Sequence, residues 1–181
     1  MEKCRMVFSG SGGQGVITAA IILSEAAVLY ENLTAVQSQS YGAAPRGGAT
    51  RSDVIISDSV IHFPKVIQPN VLVCLTQEAY GKFYSIIRPG GLLITDTRFV
   101  KTEKKVDAQQ KEIEMYETVM AKIGKPIVFN ICMLGTVIAL TGLVKPESIM
   151  KTLEDRIPAD FLDMNRKALD IGIKLGEAAK T

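Results

Sequence analysis

Hydrophobic positions along the chain alternate between short apolar runs and segments with a three-to-four-residue repeat, the signature of strands interleaved with helices. Arg5 to Ser9 reads as a first strand, and Gln14 to Tyr30 as a helix in which Ala19, Ala20, Ile22, Leu23, Ala26, Ala27 and Tyr30 recur at helical spacing. Thr34 to Gln37 is a second short strand. Thr50 to Ser57 and Val60 to His62 flank Asp58-Ser59, a hairpin signal. Val71 to Leu75 is a continuous apolar run of the kind buried on both faces of a parallel sheet. A helix from Gln77 to Ile87 closes at Pro89-Gly90-Gly91, and Leu92 to Thr95 is the next strand. Beyond Thr97 a polar connection, with a short strand near Lys105-Val106, leads to helices at Ile113 to Ile123, Asn130 to Thr141, Pro146 to Leu153 and Ala159 to Glu177. The pattern predicts an α/β fold: a three-layer sandwich around a Rossmann-like, mainly parallel sheet carrying one antiparallel hairpin.

Residues 126–144 are 19 consecutive uncharged positions, enough on length alone to span a bilayer. Pro126, Asn130, Gly135, Thr136 and Gly142 dilute the run. It divides into a short strand, Ile127 to Phe129, and a buried helix capped by Asn130 and ended by Gly142, so no membrane role is expected. Composition agrees, with 47% hydrophobic and 22% charged residues among 181. A chain of this length buries about 70% of its unfolded surface, so residues 1–181 are expected to form one domain with a full core. The net charge is +2, and Glu103 interrupts the densest basic stretch, Lys101 to Lys105, which argues against nucleic acid as a partner.

The three cysteines, Cys4, Cys74 and Cys132, contain no CxxC pair, which excludes an iron–sulfur cluster or zinc ribbon held by this chain alone. Their apolar surroundings suit buried thiols in a reducing cytoplasm, and the N-terminus runs into a strand pattern without a signal peptide. The single histidine, His62, lies in an apolar strand pattern before Phe63-Pro64 with no partner for acid–base work. No nucleophile–base arrangement is legible, so no catalytic residue is assigned.

Candidate chemistry centres on two glycine-rich segments. Gly10-Ser11-Gly12-Gly13-Gln14-Gly15 is a GxGxxG between a predicted strand and a predicted helix, where glycines let a diphosphate approach the backbone and the helix N-terminus offers unpaired N–H groups. Gly12 is expected to need a positive φ. A dinucleotide site would add an acid at the end of the second strand, but that strand ends Ala35-Val36-Gln37-Ser38. The second segment, Ser40-Tyr41-Gly42-Ala43-Ala44-Pro45-Arg46-Gly47-Gly48, is placed to face the same crevice, with Arg46 able to meet a phosphate, a carboxylate or a partner subunit.

These segments, with Gln39-Ser40-Tyr41-Gly42, Arg46-Gly47-Gly48, Ser52-Asp53-Val54-Ile55-Ile56-Ser57, Asn130 with Leu134-Gly135, and Asn165 with Ala168-Leu169 and Gly172, resemble the gamma subunit of 2-oxoacid:ferredoxin oxidoreductases over nearly the whole chain. Two positions depart from the family pattern: Ala43-Ala44 stands where Pro-Glu is frequent, and Asn70 where Asp is frequent.

The resemblance implies a subunit without its own redox group. In such enzymes alpha and beta partners hold thiamine diphosphate, iron–sulfur clusters pass electrons to ferredoxin or a ferredoxin-like delta subunit, and the product is an acyl-coenzyme A. This chain binds none of these cofactors alone. Gly10, Gly12, Gly13, Gln14 and Gly15, with Tyr41, Gly42, Arg46, Gly47 and Gly48, are expected to face the partners and coenzyme A. 2-Oxoglutarate ranks first as substrate, ahead of 2-oxoisovalerate, pyruvate and indolepyruvate. Self-association of the isolated chain is also expected. Two rival readings stay open, an independent NAD(P)-dependent dehydrogenase and a purely structural assembly subunit.

Overall fold

A computed structural model describes residues 3–40 and 48–180. Six strands, β1 (Cys4–Gly10), β2 (Thr34–Ser40), β3 (Thr50–Ser57), β4 (Val71–Cys74), β5 (Gly91–Asp96) and β6 (Ala108–Ile113), form one sheet in the order β2-β3-β1-β4-β5-β6. β1, β4, β5 and β6 pair in parallel, while β3 runs antiparallel to both of its neighbours, β1 and β2. The helices are α1 (Val16–Tyr30), α2 (Gln77–Phe83), α3 (Met115–Lys122), α4 (Phe129–Thr141), α5 (Pro146–Arg156) and α6 (Ala159–Ala178).

Side-chain alternation along the strands divides the core in two. Met6 and Phe8 of β1, with Val54, Ile56, Val73 and Ile94, point to the face covered by α1, α3, α4, α5 and α6. Val7, Ile55, Leu72 and Leu93 point to the other face, where only α2 and connecting chain cover the sheet, through Ala79, Tyr80, Phe83 and Val66. β4, flanked on both edges and covered on both faces, is buried at all four positions, which is why it reads as an unbroken apolar run.

The uncharged stretch resolves into a core helix. α4 is buried from Phe129 to Ala139 and ends at Gly142 in a left-handed conformation, φ 64°. Among the described residues no helix is long and apolar enough to cross a membrane.

Three expected elements differ. No strand forms at Val60 to His62, because β1 and β2 already occupy both edges of β3 and leave a returning hairpin nothing to pair with. The antiparallel pairing instead joins β2 to β3, and a turn in which Ser57 and Ser59 hydroxyls lie 3.1 Å apart leads the chain off the sheet. His62 is accordingly exposed in coil. The last strand lies at Ala108–Ile113 rather than Lys105-Val106; as an edge strand with one free side it needs no apolar run. Ile127 lies in a single 3-10 turn, Pro126–Val128, where proline's fixed φ favours helical entry over a strand.

Candidate functional site

The strands that run together all end at one edge of the sheet, and the Gly10 to Gly15 turn lies there between β1 and α1. Its shape is set largely by Gln14. The Gln14 Oε1 accepts the Ser11 N–H at 2.9 Å, its Nε2 donates to the Leu75 carbonyl at 3.0 Å, and its own N–H reaches the Ser11 carbonyl at 3.2 Å. Both ends of the amide are therefore engaged in fastening the turn to the end of β4, and Gln14 positions the loop rather than presenting a free amide.

The four glycines divide into two kinds. A side chain on Gly10 would meet Gln14 Oε1 at 2.5 Å and Leu75 Cβ at 3.3 Å, so this position requires close packing. Gly15 takes φ 72°, heads α1, and lies against Asn130, whose Nδ2 donates to the Gly15 carbonyl at 3.3 Å. The positive φ thus belongs to Gly15 rather than Gly12, which is absent from the left-handed glycines. Gly12 and Gly13 are exposed; among the described residues a Cβ at Gly12 would find only Thr50 Oγ1, at 3.8 Å, and one at Gly13 would find nothing within 4 Å. Fold geometry does not demand glycine at these two positions.

Among the described residues no side chain caps α1, and no acidic residue occupies its first turn. An uncapped helix start beside two uncrowded glycines fits the requirements of a phosphate: N–H donors, a positive dipole end and room for close approach. Next to it a cleft of about 460 Å³ is bounded by Thr18, Asn130, Arg156, Phe161 and Asn165 together with the turn. Asn130 is interior to α4 and does not cap it, because α4 begins one residue earlier and is entered through the 3-10 turn. Its amide instead bridges α4 to the turn. Asn165 donates to the Phe161 carbonyl at 2.8 Å within α6. Thr18, Arg156 and Phe161 escaped the sequence reading; only Thr18, three residues after Gly15, had a local signal, since the others come from a distant helix pair.

Gly48, half-buried, leads into β3. Tyr41, Gly42, Arg46 and Gly47 lie outside the described residues. The ends of their segment are nonetheless located: Ser40 pairs with Arg51, and Gly10 pairs with Thr50, so the segment leaves and re-enters the sheet beside the glycine turn.

Burial pushes the Cys74 and Cys132 thiols up to about 12, and Cys4 to about 11. Cys74 and Cys132 belong to the cores on opposite faces of the sheet, so they cannot share a cluster. Asp96, at the end of β5, is buried and its carboxyl is raised by that burial against the opposing effect of three backbone N–H groups, those of Arg98, Met115 and Tyr116. It fastens the start of α3. Asn70 Oδ1 accepts the Arg5 N–H at 2.9 Å, a bond that an Asp carboxylate would serve equally, so the departure at this position leaves the local pairing intact.

The sequence profile described as pyruvate ferredoxin/flavodoxin oxidoreductase matches residues 5–175. The chain belongs to this family. It is 44% identical over 171 residues to the 2-oxoglutarate synthase subunit KorC of Methanocaldococcus jannaschii, covering 93% of this chain and 91% of that protein. The crystal structure of a keto/oxoacid ferredoxin oxidoreductase gamma subunit from Geobacter sulfurreducens superposes with a TM-score of 0.91 at 40% identity, over 100% of both chains. A Magnetococcus marinus 2-oxoglutarate:ferredoxin oxidoreductase with 2-oxoglutarate, coenzyme A and succinyl-CoA bound shares the fold, with a TM-score of 0.88 at 20% identity over 98% of this chain and 32% of that one. Relatives at lower identity include a pyruvate synthase subunit PorC, at 30%. As a gamma subunit of a 2-oxoacid:ferredoxin oxidoreductase, the chain works as one part of a larger enzyme, with other subunits as its partners.

Proposed function

We propose that the complex containing this gamma subunit oxidises 2-oxoglutarate to succinyl-coenzyme A, and that Gly12, Gly13 and the start of α1 receive the phosphates of coenzyme A, with the Tyr41 to Gly48 segment facing the alpha and beta partners beside them. The substrate ranking rests on relatives at 44% and 36% identity that carry the 2-oxoglutarate synthase name. Pyruvate and 2-oxoisovalerate are the next candidates. Thiamine diphosphate and the iron–sulfur clusters are assigned to the partners, and ferredoxin or a ferredoxin-like delta subunit takes the electrons. A reducing cytoplasm suits the three free thiols of this chain.

The single observation that supports the phosphate reading is the pair of open glycines at an uncapped helix start. Were the turn only a packing device, Gly10 and Gly15 would satisfy it and the other two positions would be free to carry side chains. A nicotinamide dinucleotide is disfavoured by topology as well as by sequence. In a dinucleotide fold the second strand lies beside the first and its terminal acid meets the ribose. Here β3 separates β2 from β1, and β2 contains no acid.

Gly13→Val in the assembled complex is the test. A Cβ there meets nothing within 4 Å among the described residues, so melting temperature and assembly are expected to stay unchanged while KM for coenzyme A rises about tenfold, equal to roughly 1.4 kcal/mol of lost binding. An unchanged KM removes the turn from the coenzyme A site and leaves the purely structural reading of this subunit.

A further inference from the structure

We propose that the Val60 to Ile67 connection, together with Arg5 and Arg88, docks an acidic, apolar-centred face of another subunit of the oxidoreductase complex. The inference rests on this chain's place in such a complex and adds a second contact surface, which starts at the amino ends of the parallel strands and extends over the sheet face toward Arg51. Arg5 opens β1, and Arg88-Pro89 precedes β5, so both stand at the amino ends of parallel strands, whereas the turn stands at the carboxyl end.

Three large apolar residues project from one short connection: Val60 is 67% exposed, Phe63 59% and Ile67 70%. A water-facing cluster of this kind is retained where a partner covers it. Charge then selects the partner. The adjoining groove, about 550 Å³, is lined by Phe63, Lys65, Ile67, Pro89 and the two arginines, with no carboxylate among its lining residues. Four other described arginines are compensated: Arg51, Arg98, Arg156 and Arg166 each pair with an Asp or Glu. Arg5 and Arg88, the two other described arginines, form no ion pair among the described residues, and neither does Lys65. Both guanidinium groups line the one groove, and burial raises the Cys4 thiol beside them against the opposing pull of both charges.

Uncompensated like charges held together are satisfied by an incoming anion, and the apolar residues between them call for a protein surface rather than a bare polyanion. The connection itself is held in place. Arg51, ion-paired to Asp53 at 2.6 Å, donates to the Val66 carbonyl at 2.7 Å, and Val66 is buried under the sheet, so Phe63 and Ile67 are presented on a fastened segment. Preformed presentation lowers the ordering cost of docking.

The test measures binding of the full chain to the remaining subunits of its complex, using Arg88→Glu, Phe63→Ser and Ile67→Ser, with Lys174→Glu on the exposed side of α6 as a charge control. The two apolar replacements keep the test decisive should Arg88→Glu disturb its turn. Arg88→Glu and Phe63→Ser are each expected to weaken association about tenfold or more without lowering the melting temperature, and added salt to weaken the wild type more than Arg88→Glu. Lys174→Glu is expected to bind like wild type. If the wild type binds those subunits and all three groove variants bind equally well, the docking surface is wrong while the function stands. If the wild type binds no such subunit, both fall. Loss of heparin binding in Arg88→Glu with subunit affinity untouched would also overturn the proposal, in favour of a polyanion site.

Discussion

At the scale of single residues, the glycine turn separates what the fold requires from what a ligand would require. Gly15 combines φ 72° with Asn130 Nδ2 at 2.6 Å from where a Cβ would lie, whereas Gly12 combines neither strain nor crowding. Gly15→Ala is therefore expected to destabilise the chain by roughly 1–3 kcal/mol, the cost of a strained φ with a displaced amide, while Gly12→Ala stays within about 0.5 kcal/mol; thermal unfolding of both variants checks it. Equal losses would mean that Gly12 is also a fold device. The motif's position between strand and helix was legible from composition alone, but this division was not. Which glycine turns left-handed depends on where α1 starts, and that depends on Gln14 reaching Leu75, 61 residues away in sequence. Asn130 failed as a cap for the same reason. Its partner, the Gly15 carbonyl, comes from 115 positions earlier, and local cap preference carried no information about it.

Between elements, α4 and α6 pack backbone against backbone. A Cβ on Gly135 would strike the Leu169 carbonyl, one on Gly172 would strike the Cys132 carbonyl, and one on Gly176 would meet the Thr136 carbonyl at 2.8 Å. The backbones are near enough for Thr136 Oγ1 to donate across to the Gly172 carbonyl at 3.1 Å. Contacts with backbone atoms cannot be relieved by a rotamer change, so Gly172→Ala must push the helices apart. It is expected to cost about 2–3 kcal/mol in a denaturant titration, whereas Gly81→Ala in α2, where a Cβ meets nothing within 4 Å among the described residues, is expected to be neutral or to stabilise by up to about 1 kcal/mol. No loss at Gly172 would mean that the helices separate freely. The helices themselves were legible because their apolar repeats are long, and β4 because it is buried on all sides. β6 was legible only approximately: its sequence, Ala-Gln-Gln-Lys-Glu-Ile, has a polar majority and relies on backbone pairing to β5. The false hairpin at Asp58-Ser59 came from a turn signal that was real but led out of the sheet, a distinction that requires knowing that β1 takes the second edge of β3.

For the molecule as a whole, the parallel strands create two unlike ends. The carboxyl end gathers the glycine turn, the start of α1 and the anchors of the Tyr41 to Gly48 segment, which is where we propose that coenzyme A and the partner chains meet this subunit. Toward the amino end, exposed apolar residues lie beside Arg5 and Arg88, which form no ion pair among the described residues. Cys74 and Cys132 lie in the cores on opposite faces of the sheet. The glycine turn at the carboxyl end was legible in the sequence as a motif, whereas the exposed apolar group was not: the sequence pattern puts Val60 in a strand, Val60 to His62, and nothing local marks Phe63 or Ile67 as facing water. The most direct measurement is 2-oxoglutarate-dependent reduction of ferredoxin by the partner subunits, purified with and without this chain, in the presence and absence of coenzyme A. The account predicts coenzyme A-dependent turnover that appears on adding this chain, with 2-oxoglutarate preferred to pyruvate and 2-oxoisovalerate. Equal turnover without the chain, or a preference for pyruvate, would contradict it.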